Sequence, residues 1–363
     1  MNFCGSYRPD QVTFLLKQLP KLRPIDVDQK EYLIQSGDRH YSEMLSPESL
    51  PSAKYLDVYR SAYRANLDQM ARDCLALAAS IANDRAGPIT LVSLVRAGTP
   101  IGVILKRLLS DVFQRSVKHY SISIVRDRGI DAVAMRHILD DGCDPASIVF
   151  VDGWTGKGVI SGVLDDALCK FNADHNVSIS SGLYVLSDLA GTAQSAASFS
   201  DYLIPSSILN ATVSGLVSRS VLNDSIGPND FHGCVFYQEF SKEDLSQEFA
   251  DGVIERSLEM VEHQSVPAAV QIDRIQLNLI SREFMQSTMA MHQITDVNLI
   301  KPGIGEATRV LLRRTPRLLI LRDPEAIDVA HLKVLASEKL VSIIVDKKLP
   351  YQAVALIRSV VDA

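Results

Sequence analysis

The sequence predicts an α/β protein built on a parallel sheet. Apolar runs at Ile89–Leu94, Ser121–Val125 and Ile148–Val151 are each followed by a polar turn. The runs begin roughly 30 residues apart, a spacing typical of strand–helix–strand units. An apolar content of 47 % is sufficient for a full hydrophobic core. Because the carboxyl ends of parallel strands share one edge of a sheet, the three turns are expected to meet there.

The turn after the third run has the composition of a phosphate-binding loop. Asp152 ends the run, three glycines fall within the next six residues, and Val159–Phe171 follows with helical spacing. Glycines allow backbone N–H groups to converge on an anion, and a helix N-terminus adds partial positive charge. The Asp152 carboxylate is suited to a ribose hydroxyl or a hydrated metal ion. The segment matches neither a P-loop nor GxGxxG, and an ordinary turn with structural glycines is the alternative.

The first and second turns supply cations. Arg96 lies in the turn VRAGTP and is able to pair bidentately with diphosphate oxygens. Thr99 of the same turn is the predicted N-cap of a helix. Arg126 and Arg128 follow the second run, where they either clamp phosphates or remain solvated loop charges.

The segments around these runs are expected to add helices and further strands, one of them at Ser181–Leu186. Residues 1–85 are interpreted as a helical extension, with helices predicted in Asp10–Leu19 and in Ala53–Asp84 from apolar spacing. Asp201–Pro205 is interpreted as a short strand. Ser241–Gln264 is acidic and is predicted to be a helix with a capping pattern at its start.

A change in charge predicts a domain boundary near residue 265. From Pro267 onward the net charge is +3, whereas the preceding residues carry −9. A chain of 363 residues is long enough for two domains. Residues 1–265 are therefore predicted to form one domain and residues 266–363 a smaller α/β domain.

Composition excludes several classes of protein. No apolar run reaches 18 residues, so no membrane span is predicted. The N-terminal residues lack a charged segment followed by an apolar one, so no secretory signal is expected and the cytoplasm is the expected location. The five cysteines are scattered and form no CxxC pair, which disfavours a zinc knuckle or a disulfide scaffold. A net charge of −6 argues against general coating of nucleic acid.

The strings SLVRAGTP, VRDRGID and FVDGWTGKG resemble the elements of type I phosphoribosyltransferases that bind phosphoribosyl diphosphate (PRPP). The resemblance implies a phosphoribosyltransferase-like sheet, catalytic roles for Asp152 and Arg96, Mg²⁺ bound at Asp152 together with PRPP, and no redox cofactor. Gly153 stands where the motif has a second acid. The phosphate- and PRPP-binding residues that the resemblance implies are Gly153, Thr155, Gly156, Lys157, Gly158, Ala97, Gly98, Thr99, Arg126 and Arg128.

The C-terminal residues resemble the Pelota/L7Ae-like RNA-binding fold. The turn GIGE at 303–306 matches that fold's Gly-x-Asn-Glu helix start, with Gly305 in place of Asn, and Asp346–Leu349 resembles its second RNA-contacting loop. An α/β interaction module with a solvated basic face is the alternative. The RNA-binding residues that the resemblance implies are Lys301, Gly303, Gly305, Glu306, Arg309, Arg313, Lys347 and Lys348.

Both resemblances point to one family, which pairs a phosphoribosyltransferase-like domain with a Pelota-like domain and is linked to tellurite-resistance and stress gene clusters. The family resemblance implies a phosphoribosyltransferase that carries out Mg²⁺-assisted glycosidic transfer on PRPP or a nucleotide-like metabolite. The expected partners are that small molecule and structured RNA, without a membrane.

Two other functions remain open on the sequence. One is a non-catalytic protein that senses PRPP or a nucleotide and binds RNA. The other is a cysteine hydrolase, since the family also carries the cysteine-protease-like name StiP. For that chemistry Cys4 paired with His40 or His119 is the favoured arrangement. Cys143 is disfavoured because its acidic neighbours raise the pKa of a thiol.

Overall fold

Two β-sheets flanked by helices organise the protein, as seen in a computed structural model that describes residues 2–20, 22–263, 265–268 and 270–359. The helices of the described residues are, in chain order, α1 (Val27–Gln35), α2 (Ala53–Asp84), α3 (Gly98–Asp111), α4 (Ala132–Asp140), α5 (Val159–His175), α6 (Ser246–His263), α7 (Arg274–His292), α8 (Ile304–Arg313) and α9 (Ala330–Glu338).

Among the described residues, six strands form a larger sheet, four form a smaller sheet, and the other four form two short two-stranded sheets. In chain order the strands of the described residues are β1 (Thr13–Phe14), β2 (Lys17–Gln18), β3 (Ile89–Leu94), β4 (Val117–Ile122), β5 (Ile124–Val125), β6 (Gly129–Ile130), β7 (Ile148–Thr155), β8 (Leu183–Asp188), β9 (Ser195–Ser198), β10 (Gly233–Cys234), β11 (Ile300–Pro302), β12 (Pro316–Leu321), β13 (Ile343–Val345) and β14 (Ala353–Ile357).

The larger sheet is parallel throughout, in the order β1-β4-β3-β7-β8-β9. Its central strands are buried on both faces, which explains why they read as continuous apolar runs. Val149 and Val151 of β7 pack with α2, α3 and α6, whereas Ile148 and Phe150 pack with α4 and α5 on the opposite face. The predicted mixed α/β architecture with a parallel sheet is thereby confirmed.

Two local predictions in the larger sheet are wrong. Asp10–Leu19 contains strands β1 and β2 instead of a helix, because pairing with β4 and β10 satisfies the backbone of this segment and buries its apolar side chains. Asp201–Pro205 is not a strand, and β9 occupies the edge position next to β8.

The long helices agree better with their sequence patterns. Ala53–Asp84 forms a single helix, α2, whose N-terminal N–H of Tyr55 is capped by the Ser52 hydroxyl. The predicted acidic helix is present as α6, which starts at Ser246, and the predicted final residue, Gln264, lies outside the described residues. Among the described helices, none is both long enough and apolar enough to cross a membrane.

The smaller sheet has the order β11-β14-β12-β13 and is mixed, with only β12 and β13 parallel. Helix α8 is strongly amphipathic. Ile304, Ala307 and Leu311 are buried against this sheet and α9, while the charged side chains of α8 lie on another face. That charged face is turned toward the larger sheet.

Several specific contacts fix α8 against the larger sheet. The Asp201 carboxylate accepts hydrogen bonds from the backbone N–H groups of Ile304 (2.9 Å) and Gln352 (2.7 Å), so it caps the start of α8. At the other end of the helix, Arg314 forms a bidentate pair with Glu31, at 2.5 and 2.6 Å. These contacts join the two sheets on either side of the charged face.

Gly305 allows the closest approach of α8 to the larger sheet. A Cβ atom at this position would lie 2.5 to 2.8 Å from three atoms of the Trp154 indole, which is closer than van der Waals contact allows. Gly305 occupies the place where the Pelota-like motif has Asn. A glycine there is therefore required by the packing of Trp154.

Gly305→Ala should destabilise the protein by about 1 to 3 kcal/mol, because the added methyl group overlaps a ring that is held by both sheets. The matched control is Gly162→Ala in α5, where a Cβ meets nothing within 4 Å and should stabilise the helix by roughly 0.5 to 1 kcal/mol. Urea unfolding followed by tryptophan fluorescence measures both changes. Equal effects of the two substitutions would contradict this account of the contact.

Candidate functional site

A cavity of about 420 Å³ lies between the carboxyl edge of the larger sheet and the charged face of α8. Ligand sites in proteins usually have volumes of roughly 300 to 1,000 Å³, so the cavity can hold a small organic molecule. Its wall comes from the turns after β3, β5 and β7, from the segment 206–220, and from α8. The predicted meeting of the three turns at one sheet edge is therefore observed.

The turn after β3 contributes Arg96, whose guanidinium is paired inside the protein. It donates to both carboxylate oxygens of Glu48, at 2.8 and 3.0 Å, and to the carbonyl oxygen of Val217. Burial of Glu48 favours its protonated form, but the Arg96 guanidinium outweighs this and holds the pKa of Glu48 below its usual value. Much of the positive charge of Arg96 is thus compensated before any ligand binds.

The start of α3 mainly contacts other parts of the protein, as Gly98 and Thr99 show. A Cβ on Gly98 would lie 2.4 Å from the carbonyl oxygen of Val151, so only glycine allows α3 to approach β7 here. The prediction of Thr99 as N-cap is wrong, because α3 begins at Gly98 with Ala97 as its N-cap, and the Thr99 hydroxyl bonds to Ser121 at 2.7 Å. Ala97 lines the cavity.

Strand β7 continues to Thr155, past its predicted end at Asp152, so Asp152 reaches the cavity wall from within the strand. One Asp152 carboxylate oxygen accepts a hydrogen bond from the N–H of Gly153 at 2.8 Å. Burial raises the pKa of Asp152 to about 6, although the nearby Arg309 guanidinium acts in the opposite direction. Asp152 is therefore an acid of unusually high pKa that faces a cation from α8.

The residues from Thr155 to Gly158 form a tight turn that leads into α5. The Thr155 hydroxyl accepts a hydrogen bond from the N–H of Gly158 at 3.1 Å, and Gly158 adopts a φ of 77° that favours glycine. A Cβ on Gly156 would lie 2.9 Å from the carbonyl oxygen of Pro302. Lys157 donates to the carbonyl oxygens of Val297 and Ile300, and burial lowers its pKa to about 7.

The two arginines after β5 separate in the structure. Arg126 lines the cavity, where it donates to Asn298 and lies over the Tyr41 ring at 5.3 Å from its centroid. Arg128 is not part of the cavity wall and pairs instead with Glu43.

Most of the predicted RNA-binding residues contribute to this cavity or to the contact around it. Lys301, Glu306, Arg309 and Arg313 line the cavity, with Glu306 and Arg309 paired at 2.6 Å. Gly303 packs beside Leu189 and Asp201, and Gly305 beside Trp154. Lys347 and Lys348 lie elsewhere, exposed in the loop after β13.

The sequence did not single out two charged residues of the cavity, Lys30 and Glu48. Their position depends on long-range packing, so no local spacing could have revealed them. Arg219 and Arg314 also line the cavity. Together, the cavity wall holds nine basic and three acidic side chains among the described residues, namely Lys30, Arg96, Arg126, Lys157, Arg219, Lys301, Arg309, Arg313 and Arg314 against Glu48, Asp152 and Glu306.

Burial and mutual repulsion change the acidity of these cations. The pKa of Arg313 falls to about 9, through burial and the charges of Arg96 and Arg309. The pKa of Arg219 falls to about 10, chiefly through burial. The pKa of Lys30 falls to about 6 through burial and the charge of Arg219. The cavity is therefore electropositive, and burial and repulsion destabilise the charged forms of its basic side chains.

The five cysteines lie outside the cavity wall. Cys74 and Cys234 are buried, and burial raises the pKa of both thiols. Cys143 is buried beside the Tyr120 hydroxyl. Cys4 is partly exposed and Cys169 is exposed.

The predicted pairing of Cys4 with a histidine is not observed. Both ring nitrogens of His119 are engaged, with the Ser93 hydroxyl at 2.8 Å and the Gln11 carbonyl oxygen at 2.9 Å, and burial lowers its pKa to about 3. His40 contacts the Ser42 hydroxyl at 2.8 Å. Within the described residues no cysteine has a hydrogen bond to a histidine.

No cluster of three or more His, Cys, Asp or Glu suited to a metal ion occurs in the part of the chain that the structure describes. Mg²⁺ commonly takes only one or two protein carboxylates when ligand oxygens complete its shell. Mg²⁺ at Asp152 accordingly stays a prediction.

Comparisons with known proteins cover nearly the whole chain. The family model described as tellurite-like stress resistance cysteine protease StiP matches residues 5–254, and that of the PELOTA RNA binding domain matches residues 279–359. A relative from Acinetobacter baylyi (strain ATCC 33305 / BD413 / ADP1), named cysteine protease StiP, is 39 % identical over 368 residues, 98 % of this chain and 94 % of the relative. This chain belongs to the StiP family. The expected link to stress and tellurite resistance agrees with the family's description.

Solved structures give only distant likenesses. A hypoxanthine phosphoribosyltransferase from Trypanosoma cruzi with the product IMP is 15 % identical, covering 55 % of this chain and 93 % of that one, with a TM-score of 0.28. A second structure, of an HPRT in which an invariant aspartic acid is replaced by asparagine, is also 15 % identical. The match covers 38 % of this chain and 79 % of that one, with a TM-score of 0.27. At such scores these likenesses carry no argument about function.

The expectation of a phosphoribosyltransferase is wrong. The StiP relative matches across almost the entire chain and is named a cysteine protease, so the cysteine hydrolase left open on the sequence agrees better with the family. Strand-end turns rich in glycine and cations indicate where an anion would fit, but they do not specify which bond an enzyme breaks. The sequence differs from the phosphoribosyltransferase motif at Gly153, which stands in place of the motif's second acid.

The pH dependence of stability tests the environment of Asp152. Its pKa of about 6 in the folded protein lies above the unfolded value of about 3.9, so the folded state binds more protons between these values. Stability contributed by this group is therefore lost as pH rises from about 4 to 6. Asp152→Asn removes the loss and should gain about 1 to 2 kcal/mol relative to the unsubstituted protein over that window.

Chemical denaturation at a series of pH values measures this difference. The control is Asp165→Asn, which changes an exposed carboxylate on α5 and should follow the profile of the unsubstituted protein. A pH profile of Asp152→Asn parallel to that of the unsubstituted protein would show that Asp152 is not held in a destabilising environment.

Proposed function

We propose that this protein is a cysteine-dependent hydrolase of peptide bonds, the activity named for its Acinetobacter baylyi relative. The observation that carries the proposal is the extent of that likeness, 39 % identity over 98 % of the chain. In such a reaction a thiolate attacks the peptide carbonyl carbon, the amine leaves with a proton, and water then hydrolyses the thioester.

Cys4 is the proposed nucleophile. A nucleophilic cysteine must be accessible and must not be held protonated, which disfavours the buried Cys74 and Cys234. Cys169 is exposed on α5, and among the described residues of that helix the cavity wall includes Val159 and Ile160 alone. Cys4 is the remaining accessible thiol.

The position of Cys4 also favours it over the alternatives. The next residues hold the chain against the segment 210–215, because the N–H of Ser6 donates to the carbonyl oxygen of Gly215 at 3.1 Å. Asn210, Val213 and Ser214 of that segment line the cavity. A substrate that extends from the cavity along this segment would approach the Cys4 thiol.

Cys4→Ser should abolish labelling by a thiol-reactive electrophile at the active cysteine and reduce peptide hydrolysis by at least 100-fold, since a hydroxyl is a far weaker nucleophile than a thiolate. Cys169→Ser is the control and should retain both. Mass spectrometry locates the label, and a fluorogenic peptide library reports hydrolysis. Full hydrolysis by Cys4→Ser would refute the role of Cys4, and no hydrolysis by the unsubstituted protein would refute the function.

We also propose that the loop Asp346–Leu349 contacts RNA. The match of residues 279–359 to the PELOTA RNA binding domain supports this, and Lys347 and Lys348 are exposed there. The cations of α8 face the cavity, whereas the loop presents Lys347 and Lys348 to solvent, where a long nucleic acid can reach them.

Replacing both Lys347 and Lys348 by Ala should weaken binding of a structured RNA by about tenfold and lower the slope of log affinity against log salt by about 2, one for each lost phosphate contact. Lys170→Ala, an exposed lysine on α5, is the control for general charge. Fluorescence anisotropy with a labelled RNA hairpin at several salt concentrations gives both quantities. An unchanged salt slope in the double variant would exclude the loop as the contact.

A further inference from the structure

We propose that the cavity between the larger sheet and α8 binds a compact organic di- or polyphosphate, held by residues from both sheets. The proposal goes beyond peptide hydrolysis and RNA contact, and it concerns binding alone. It rests on the uncompensated charge of the cavity, on its unused hydrogen-bond donors and on its arrangement around two centres.

Two arginines of the cavity wall hydrogen-bond to neutral groups alone among the residues that the structure describes. Arg219 donates to the carbonyl oxygens of Tyr41 and Met44, and Arg313 donates to the side-chain oxygen of Asn210. Arg96 and Arg314, in contrast, pair with carboxylates. The Glu48 carboxylate acts electrostatically on both arginines, but it is already paired with Arg96, so a bound anion would supply the further negative charge that these partly buried guanidinium groups require.

Four residues that line the cavity carry buried donors with no hydrogen-bond partner among the described residues. These donors are the hydroxyls of Ser206, Ser207 and Ser220 and the indole N–H of Trp154. The three serines are only 9 %, 7 % and 7 % exposed, so bulk water does not satisfy them. Buried polar groups are normally hydrogen-bonded, and four unused donors in one cavity indicate a ligand rich in acceptor oxygens. Phosphate groups carry such oxygens.

The cations form two groups within the cavity. The first contains Arg96 and Arg313, which both donate to the side-chain oxygen of Asn210. The second contains Arg309, which donates to Glu306, and Lys157, which donates to the carbonyl oxygens of Val297 and Ile300. Two cationic centres in a cavity of about 420 Å³ fit an anion with charged groups at two positions better than a single phosphate.

The contribution of α8 restricts what the ligand can be. Arg309 and Arg313 reach the cavity from α8, while Arg96, Arg219 and the serines belong to the chain around the larger sheet. A long RNA would have to displace α8 from its contacts with Asp201 and Trp154 to reach these cations. A small molecule that fits between the two parts requires no such displacement.

Isothermal titration calorimetry and thermal unfolding of the full chain test the proposal with three probes: inorganic phosphate, pyrophosphate and a nucleoside diphosphate. Pyrophosphate or the nucleoside diphosphate should bind, raise the unfolding temperature and exceed the affinity of inorganic phosphate at least tenfold. Arg313→Gln should weaken that binding at least tenfold, and Ser207→Ala several-fold. Arg107→Gln, an exposed arginine on α3, is the matched control and should bind normally.

The unfolding temperature of each variant without ligand shows whether weaker binding results from a loss of folding. Arg313→Gln removes a cation from a repulsive cluster, so the unliganded variant should unfold at the same temperature as the unsubstituted protein or higher. The proposal is overturned if neither diphosphate binds, or if Arg313→Gln and Ser207→Ala bind as well as Arg107→Gln. A structured RNA that competes at these residues, with no small anion bound, would assign the cations to a macromolecule and also overturn it.

Discussion

The docking of α8 against the carboxyl edge of the larger sheet is the contact on which the site depends. Asp201 accepts the N–H of Ile304 at the start of the helix, and Glu31 binds Arg314 just beyond its end. Between these points, Gly305 leaves room for Trp154. Without this contact, the charged face of α8 would be open to solvent and the sheet edge would have no second wall.

The fold was predictable where local patterns are strong. Continuous apolar runs identified the buried strands β3 and β7, because parallel strands covered on both faces are rich in apolar side chains on both. The segment 10–19 was misinterpreted because two-residue strands leave almost no periodic signal. Their conformation is decided by pairing with β4 and β10, which lie far away in sequence.

The site was predictable only in part for a similar reason. The turns at strand ends located Arg96, Arg126 and Asp152 at one edge, since sheet topology brings those positions together. Nothing in the local sequence predicted that Arg313, interpreted as an RNA ligand, would face them. The position of a helix that follows some 150 residues later depends on tertiary packing, which spacing within a motif does not encode.

The family and the cavity describe different aspects of the molecule. Membership of the StiP family points to thiol chemistry, and the accessible Cys4 lies beside a segment that also lines the cavity. The cavity itself has the composition of an anion site, with no cysteine in its wall.

An experimental structure of the full chain crystallised with pyrophosphate tests this account most directly. The account predicts the anion between Arg313 and the serines at 206 and 207, with α8 seated on Trp154. An anion bound elsewhere, or α8 turned away from the sheet with its arginines in solvent, would contradict it.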